Sequence, residues 1–298
     1  MSEHWEDKFR GWAAPPGKTE EERCENAVRA VKNALAASAK LKGRGYRVIL
    51  QGSYRNNTNT KGESDVDIGV VCSDTFFHHF PEGMGRENFG ITPATYHYDQ
   101  YKNEVGEALV SYFGQDKVHR GNKAFDVRET SYHVEADVAP FFEHRRYDKT
   151  SRYQEGVQLT PDNRQPPEVI NWPEQHYENG VEKNKATGMR FKAMVRVLKS
   201  LRNEMLEKKI AAAEPAIGFL IECMVWNVPN GHFGSTLYSD DLKDILRYLY
   251  NATKSDEQCS EWGEVSELKY LFRGGQKWTR AQANAFILAA WQYAGFKD

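Results

Sequence analysis

The chain has 298 residues, enough for one large domain or two modest ones with a proper core. Its 40 Lys and Arg against 42 Asp and Glu give a formal charge of −2. That excludes the global basic field that holds long DNA or RNA non-specifically, and leaves room only for a local groove.

The N-terminal "MSEHWEDKFRGW" lacks the apolar core of a signal peptide, and no apolar run approaches the ~20 residues that span a bilayer. A cytoplasmic protein without membrane contact is expected. After the Pro15–Gly17 break, Thr19 and Glu22 form a capping-box pattern. Cys24, Ala27, Val28, Val31 and Leu35 then recur at helical spacing, which predicts a long helix to about Lys42, ended by Gly43 and Gly45. "YRVIL" (46–50) reads as a short apolar strand running into Gly52-Ser53. A polar loop over 54–64 leads to "DVDIGVV", where Val66, Ile68 and Val70 share one face and Asp65, Asp67 and Gly69 the other. A helix is expected across "YKNEVGEALVSYFG".

The run 126–142 alternates again, with Val134, Ala136 and Val138 opposite Glu135 and Asp137, and Pro140 ends it or makes it an edge. Residues 148–182, rich in Pro, Asn, Asp and Glu, read as a crossover between two halves. From about Asn184 the pattern is helical. Phe191, Met194, Val195, Leu198, Leu201 and Met205 fit one helix, and "PAIGFLIECMVW" is a buried segment. "YSDDLKDILRYLYNAT" is a third helix with Ser239 as N-cap, and a last begins near Thr279. Cys24, Cys72, Cys223 and Cys259 show no C-x-x-C pair or zinc spacing and read as buried free thiols of a reducing compartment. The fold class is α+β, with strands first and helices after. The expected division is 1–160, a core with the long N-terminal helix, and 161–298, a helical domain.

Asp65 and Asp67 interrupt a strand that is otherwise apolar, and desolvating an unpaired carboxylate is costly. Two residues apart on a strand, they project from one face roughly 6–7 Å apart at the backbone. That spacing suits one shared divalent ion, or two ions about 4 Å apart. An all-oxygen site favours magnesium or manganese over zinc, and Asp137 is the best third ligand. Gly52 allows close backbone approach to a phosphate, to which the Ser53 hydroxyl and amide can donate. A triphosphate there, with metals at the aspartates, describes nucleotidyl transfer.

"GS", "DVD" and "EADVAPF" resemble the signature of polymerase-β-like nucleotidyltransferases. Over about residues 20–290, "LQGSYRNNTN…GESDVD", "NWPEQHYENG…KN" and "FLIECMVWNVP" bring the resemblance closer, to one branch of the CD-NTase family, bacterial relatives of cyclic GMP-AMP synthase and oligoadenylate synthase. The resemblance implies a polymerase-β-like core, a mixed sheet with helices, plus a C-terminal helical domain, with the active site in the cleft between them. It implies hydroxyl attacks on NTP α-phosphates that release pyrophosphate and yield a cyclic di- or trinucleotide, the signal of an anti-phage system (CBASS). Asp65 and Asp67 match the family's paired metal ligands, Asp137 the third carboxylate that helps activate the hydroxyl, and Gln51, Gly52 and Ser53 the nucleotide-binding turn.

Lys192, Arg196 and Lys199 fall at i, i+4 and i+7, a cationic stripe that is either a solvated face or a triphosphate clamp. The resemblance singles out Lys199 as the triphosphate contact. Phe219 matches an aromatic that stacks on a base, with a plain core role open. Gly218 departs from the phosphate-binding serine of many relatives. Asn171 precedes Trp172-Pro173, which disfavours a helix and places it on an irregular lip between the halves. Its amide can pair with N3–H and O4 of uracil, while an Asx-type turn or helix cap is the alternative. In this branch an asparagine there accompanies pyrimidine use, so UTP and ATP are the expected substrates and cyclic UMP-AMP or cyclic di-UMP the product. A downstream effector that senses the product and regulatory protein partners are expected, and activation by DNA is not. A template-independent RNA or linear oligonucleotide transferase, a small-molecule adenylyltransferase and an inactive binding scaffold share parts of this signature.

Overall fold

The computed structural model describes residues 3–62 and 65–297. The elements run α1 (Glu3–Ala13), α2 (Lys18–Ala37), β1 (Tyr46–Gln51), α3 (Gly52–Asn56), β2 (Val66–His79), α4 (Tyr98–Phe113), β3 (Val118–Arg120), β4 (Phe125–Val127), β5 (Ala136–Tyr147), β6 (Tyr153–Leu159) and β7 (Val169–Asn171). Then come α5 (Pro173–Ala186), α6 (Arg190–Glu207), α7 (Gly218–Trp226), α8 (Tyr238–Ala252), α9 (Asp256–Cys259) and α10 (Arg280–Tyr293). The chain forms two compact units. One, a sheet unit, is Lys18–Tyr54 with Ser64–Pro173; the other, helical, is Met1–Gly17, Arg55–Glu63 and Glu174–Asp298. The division therefore differs from the expected one at 160/161: β6 and β7 stay with the sheet, and α1 belongs to the helical unit.

In the sheet unit the strand order is β1-β2-β5-β4-β3, with β6 paired to β5 and β7 to β6. Strand β2 runs parallel to β5 and antiparallel to β1. Because β2 is central, Val66, Ile68, Gly69, Val70 and Val71 are all buried, and the alternation read in "DVDIGVV" fades after Asp67. Helices α2 and α4 pack on this sheet and on each other, with Cys24, Ala27, Val31 and Leu35 of α2 in the core. The hydroxyls of two buried tyrosines of α4 reach strand carbonyls: Tyr101 donates to Val70 and Tyr98 to Pro140, each at 2.9 Å.

Pro140 corrects an expectation. It sits inside β5, opposite Val70 of β2, and neither ends the strand nor marks an edge. On the other side of β5 the partner changes, since β4 covers Ala136–Val138 and β6 begins at Phe142. The proline falls in that gap, and its carbonyl is taken by Tyr98. No ladder N–H is wanted there. The run 126–142 is likewise two strands, β4 and β5, joined by a turn in which the amides of Tyr132 and His133 donate to the Thr130 hydroxyl. The expected crossover after 148 is in fact a hairpin into β6. The Asp148 carboxylate accepts from the amides of Thr150 (2.7 Å) and Arg152 (3.0 Å), so the polar run is turn chemistry. The supposed loop after Ser53 starts as the short helix α3, and α2 stops at Ala37.

In the helical unit all six apolar residues predicted for α6 are buried, against α1, α7, α8 and α10. Helix α1 was not foreseen, although Trp5, Phe9 and Trp12 stand at i, i+4 and i+7. Ser239 is not the N-cap of α8. Leu237 holds that position, and the Glu6 carboxylate of α1 accepts from the amides of Tyr238 (3.0 Å) and Ser239 (2.8 Å). An acid from elsewhere in the unit satisfies the helix start. Thr279 caps α10 in a reciprocal box with Gln282, as its position predicts. All four cysteines are buried and lie outside any disulfide. Among the described residues no helix is long and apolar enough to cross a membrane.

Candidate active site

The strand registers of the sheet unit bring four polar residues into one row. Gln51 of β1 lies opposite Asp67 of β2, Asp67 opposite Asp137 of β5, and Asp137 opposite Asp126 of β4. Directly opposed residues share a face, so the row is three carboxylates flanked by the Gln51 amide. Asp65, immediately before β2, adds another charge near enough to act on Asp137. Like charges directly opposite one another are unfavourable without a counter-charge. Asp137 registers this: the protein packed about its carboxyl, then the charges of Asp126, Asp65 and Glu135, push it up to about 6. Asp126 was missed in the sequence. The cue was an acid between Phe125 and Val127, both buried.

Gly52 lies against this row. Its φ is +67°, and a Cβ built there would fall 1.8 Å from Oδ2 of Asp67. Only glycine allows the turn to seat on the carboxylate. The oxygen-only donor set suits a hard divalent cation, and the raised Asp137 and the Cβ-free seat at Gly52 fit one. Among the described residues, no group of three or more His, Cys, Asp or Glu is already drawn together as a metal cage.

The helical unit holds a second polar cluster. Glu222, on α7 within "FLIECMVW", is almost fully buried at 3% exposure. Its carboxylate accepts from the Thr58 hydroxyl at 2.8 Å, bonds His176 Nε2 of α5 at 2.9 Å, and stands 3.5 Å from Lys199 Nζ of α6. Lys199 also lies 3.4 Å from the Thr58 hydroxyl. Burial would raise the Glu222 carboxyl, but Lys199, His176 and the hydrogen bonds outweigh it and hold it down to about 2. Thr58, His176 and Glu222 were absent from the sequence reading of the site. Their signal was an acid inside an apolar helix, which demands partners.

Lys192, Arg196 and Lys199 are all buried, so the stripe is not a solvated face. Arg196 is committed to backbone: Nε and Nη2 donate to the Ala13 carbonyl at 2.9 and 2.6 Å, and Nη1 to the Asn57 carbonyl. That geometry makes it a tie within the helical unit. Gly218 opens α7 beside Lys199, where a Cβ would meet Cε of the lysine at 3.2 Å. Phe219 is 37% exposed, its ring 5.8 Å from His176 and 5.9 Å from Trp278, so a core role does not describe it.

Asn171 is the last residue of β7, opposite Val157 of β6, rather than on an irregular lip. Proline at position 173 opens α5, where no N–H is needed, so Trp172-Pro173 marks a helix start. Asn171 shares a row with Val157 and Glu143, not with Asp137.

Residues 30–155 match a nucleotidyltransferase domain, and residues 178–295 match the cGAS/DncV-like nucleotidyltransferase C-terminal helical domain. The chain is 42% identical to a cyclic dipyrimidine nucleotide synthase CdnE of Legionella pneumophila, over 98% of this chain and 99% of that one. It is 39% identical to the enzyme so named from Cecembia lonarensis, over 99% of this chain and 100% of its counterpart. Among solved structures, the Rhodothermus marinus CdnE c-UMP-AMP synthase with Apcpp and Upnpp superposes with a TM-score of 0.85 at 28% identity, covering 98% of each chain.

Proposed function

Because the chain belongs to the cGAS/DncV-like nucleotidyltransferases (the CD-NTase family) and is a cyclic dinucleotide synthase, we propose that it joins UTP with ATP, or two UTP, into a cyclic dinucleotide for anti-phage signalling. The observation that carries the chemistry is the Asp67–Asp137 pairing with Gly52 seated on Asp67. Asp65, Asp67 and Asp137 would hold magnesium or manganese, which when bound activates a hydroxyl and neutralises leaving pyrophosphate. The ribose hydroxyl oxygen of one nucleotide attacks the α-phosphorus of another, and its proton passes to the Asp137 carboxylate. The bond from the α-phosphorus to the bridging oxygen breaks, and pyrophosphate departs. A second such transfer closes the ring. Gln51 and Ser53 orient phosphate oxygens, Lys199 takes the triphosphate, and Phe219 offers its ring face to a base. Asn171 reads uracil with its paired donor and acceptor.

Relatives that are cyclic dipyrimidine and c-UMP-AMP synthases support pyrimidine use, as does Asn171. The test is incubation of the purified protein with the four NTPs, each labelled in turn, and magnesium, followed by phosphatase. A phosphatase-resistant product that contains uridine is expected. A phosphatase-sensitive ladder would mean a linear oligonucleotide transferase, and no product an inactive scaffold. Resistant product without uridine would overturn the base assignment alone.

A further inference from the structure

A single buried carboxylate serves two residues with proposed nucleotide roles. Glu222 sits on α7 one turn after Gly218 and Phe219, and it holds Lys199 on one side and His176, the ring neighbour of Phe219, on the other. Thr58 fixes the carboxylate from a third direction. An ammonium has three protons. Glu222 and the Thr58 hydroxyl lie near Lys199 Nζ at 3.5 and 3.4 Å, which leaves donor capacity for a phosphate oxygen.

We infer that Glu222 is a positioning residue for nucleotide binding, which holds the Lys199 ammonium aimed at the triphosphate while it anchors His176 beside Phe219. This rests on the reading of Lys199 as the triphosphate contact. Removing the Glu222 charge takes away the carboxylate beside Lys199 Nζ and the partner of His176 Nε2.

The experiment compares steady-state kinetics of wild type, Glu222→Gln, Glu222→Asp and Lys199→Met with ATP and UTP. Glu222→Gln is expected to raise KM for both nucleotides about ten-fold or more, with kcat moved less. Glu222→Asp keeps the charge but withdraws it by one methylene, so its KM should rise less than that of Glu222→Gln. A Glu222→Gln enzyme with wild-type KM, beside a Lys199→Met enzyme with raised KM, would overturn the inference and leave the reading of Lys199 intact. Unchanged KM in Lys199→Met would overturn that reading itself, and with it the inference. Should Glu222→Gln fail to fold, Glu222→Asp decides, with raised KM in support and unchanged KM against.

Discussion

Gly52 packs so tightly on Asp67 that the two positions are one structural device: a methyl group at residue 52 would occupy space 1.8 Å from Oδ2 of the aspartate. Gly52→Ala is therefore expected to displace the carboxylate and strain a left-handed backbone together. Loss of about 1–2 kcal/mol in stability follows from the backbone alone. Product formation should fall by far more than that destabilisation explains, on the order of a hundred-fold. Thermal melts and initial rates on the same preparation separate the two effects, and wild-type rates would show that the seat does not matter.

Asp65→Asn with Asp67→Asn should abolish synthesis and leave the fold. Transition-state stabilisation worth several kcal/mol is lost, each ~1.36 kcal/mol being ten-fold in rate. Without metal, the double variant should melt no lower than wild type, because carboxylate repulsion beside Asp137 is relieved. Calorimetry in chelator together with product assays checks both halves.

Lys199→Ala should raise KM for all four NTPs alike, since a charged hydrogen bond to phosphate is worth roughly 1.5–3 kcal/mol. Altered base discrimination at unchanged KM would place the lysine near the base instead.

Arg196→Met tests a different role for a neighbouring cation. The change strips donors from the carbonyls of Ala13 and Asn57, so stability should drop by about 2–4 kcal/mol. Below the melting transition, KM should stay near wild type. A well-folded variant with normal Tm and a raised KM for every NTP would return Arg196 to the triphosphate.

Asn171→Ser leaves one group where uracil needs two, and selectivity should shift ten- to a hundred-fold, about 1.4–3 kcal/mol, toward purines. Competition between labelled UTP and ATP measures it. An unchanged base ratio would reduce Asn171 to the last residue of its strand.

What was legible in the sequence followed from local pattern. Helical spacing located α6 and the apolar face of α2, and "DVD" after Gly-Ser located the acidic row. Non-local partners were illegible. Pro140 reads as an edge until it is known that β4 stops and β6 starts on either side of it. Ser239 reads as a cap until Glu6, far away in sequence, takes the helix amides. Asp126 joins the row only through the β4–β5 register, and Glu222 gains meaning only with Thr58, His176 and Lys199 around it. Tertiary pairing decided each case, and periodicity carries no record of it.

The interleaving of the two units bears on how the chain is made and how it can be cut. Residues 18–54 and 64–173 emerge from the ribosome with all their sheet partners, so that unit can close early. Helix α1 emerges before it yet must wait, because Glu6, Lys8 and the Ala13 carbonyl find their partners at Tyr238 and Ser239, Glu204 and Arg196. Until α6 and α8 are made, Trp5, Phe9 and Trp12 of α1 lack the helices they pack against. For the same reason, a fragment beginning at residue 161 would lack the helix that packs against α6 and α8.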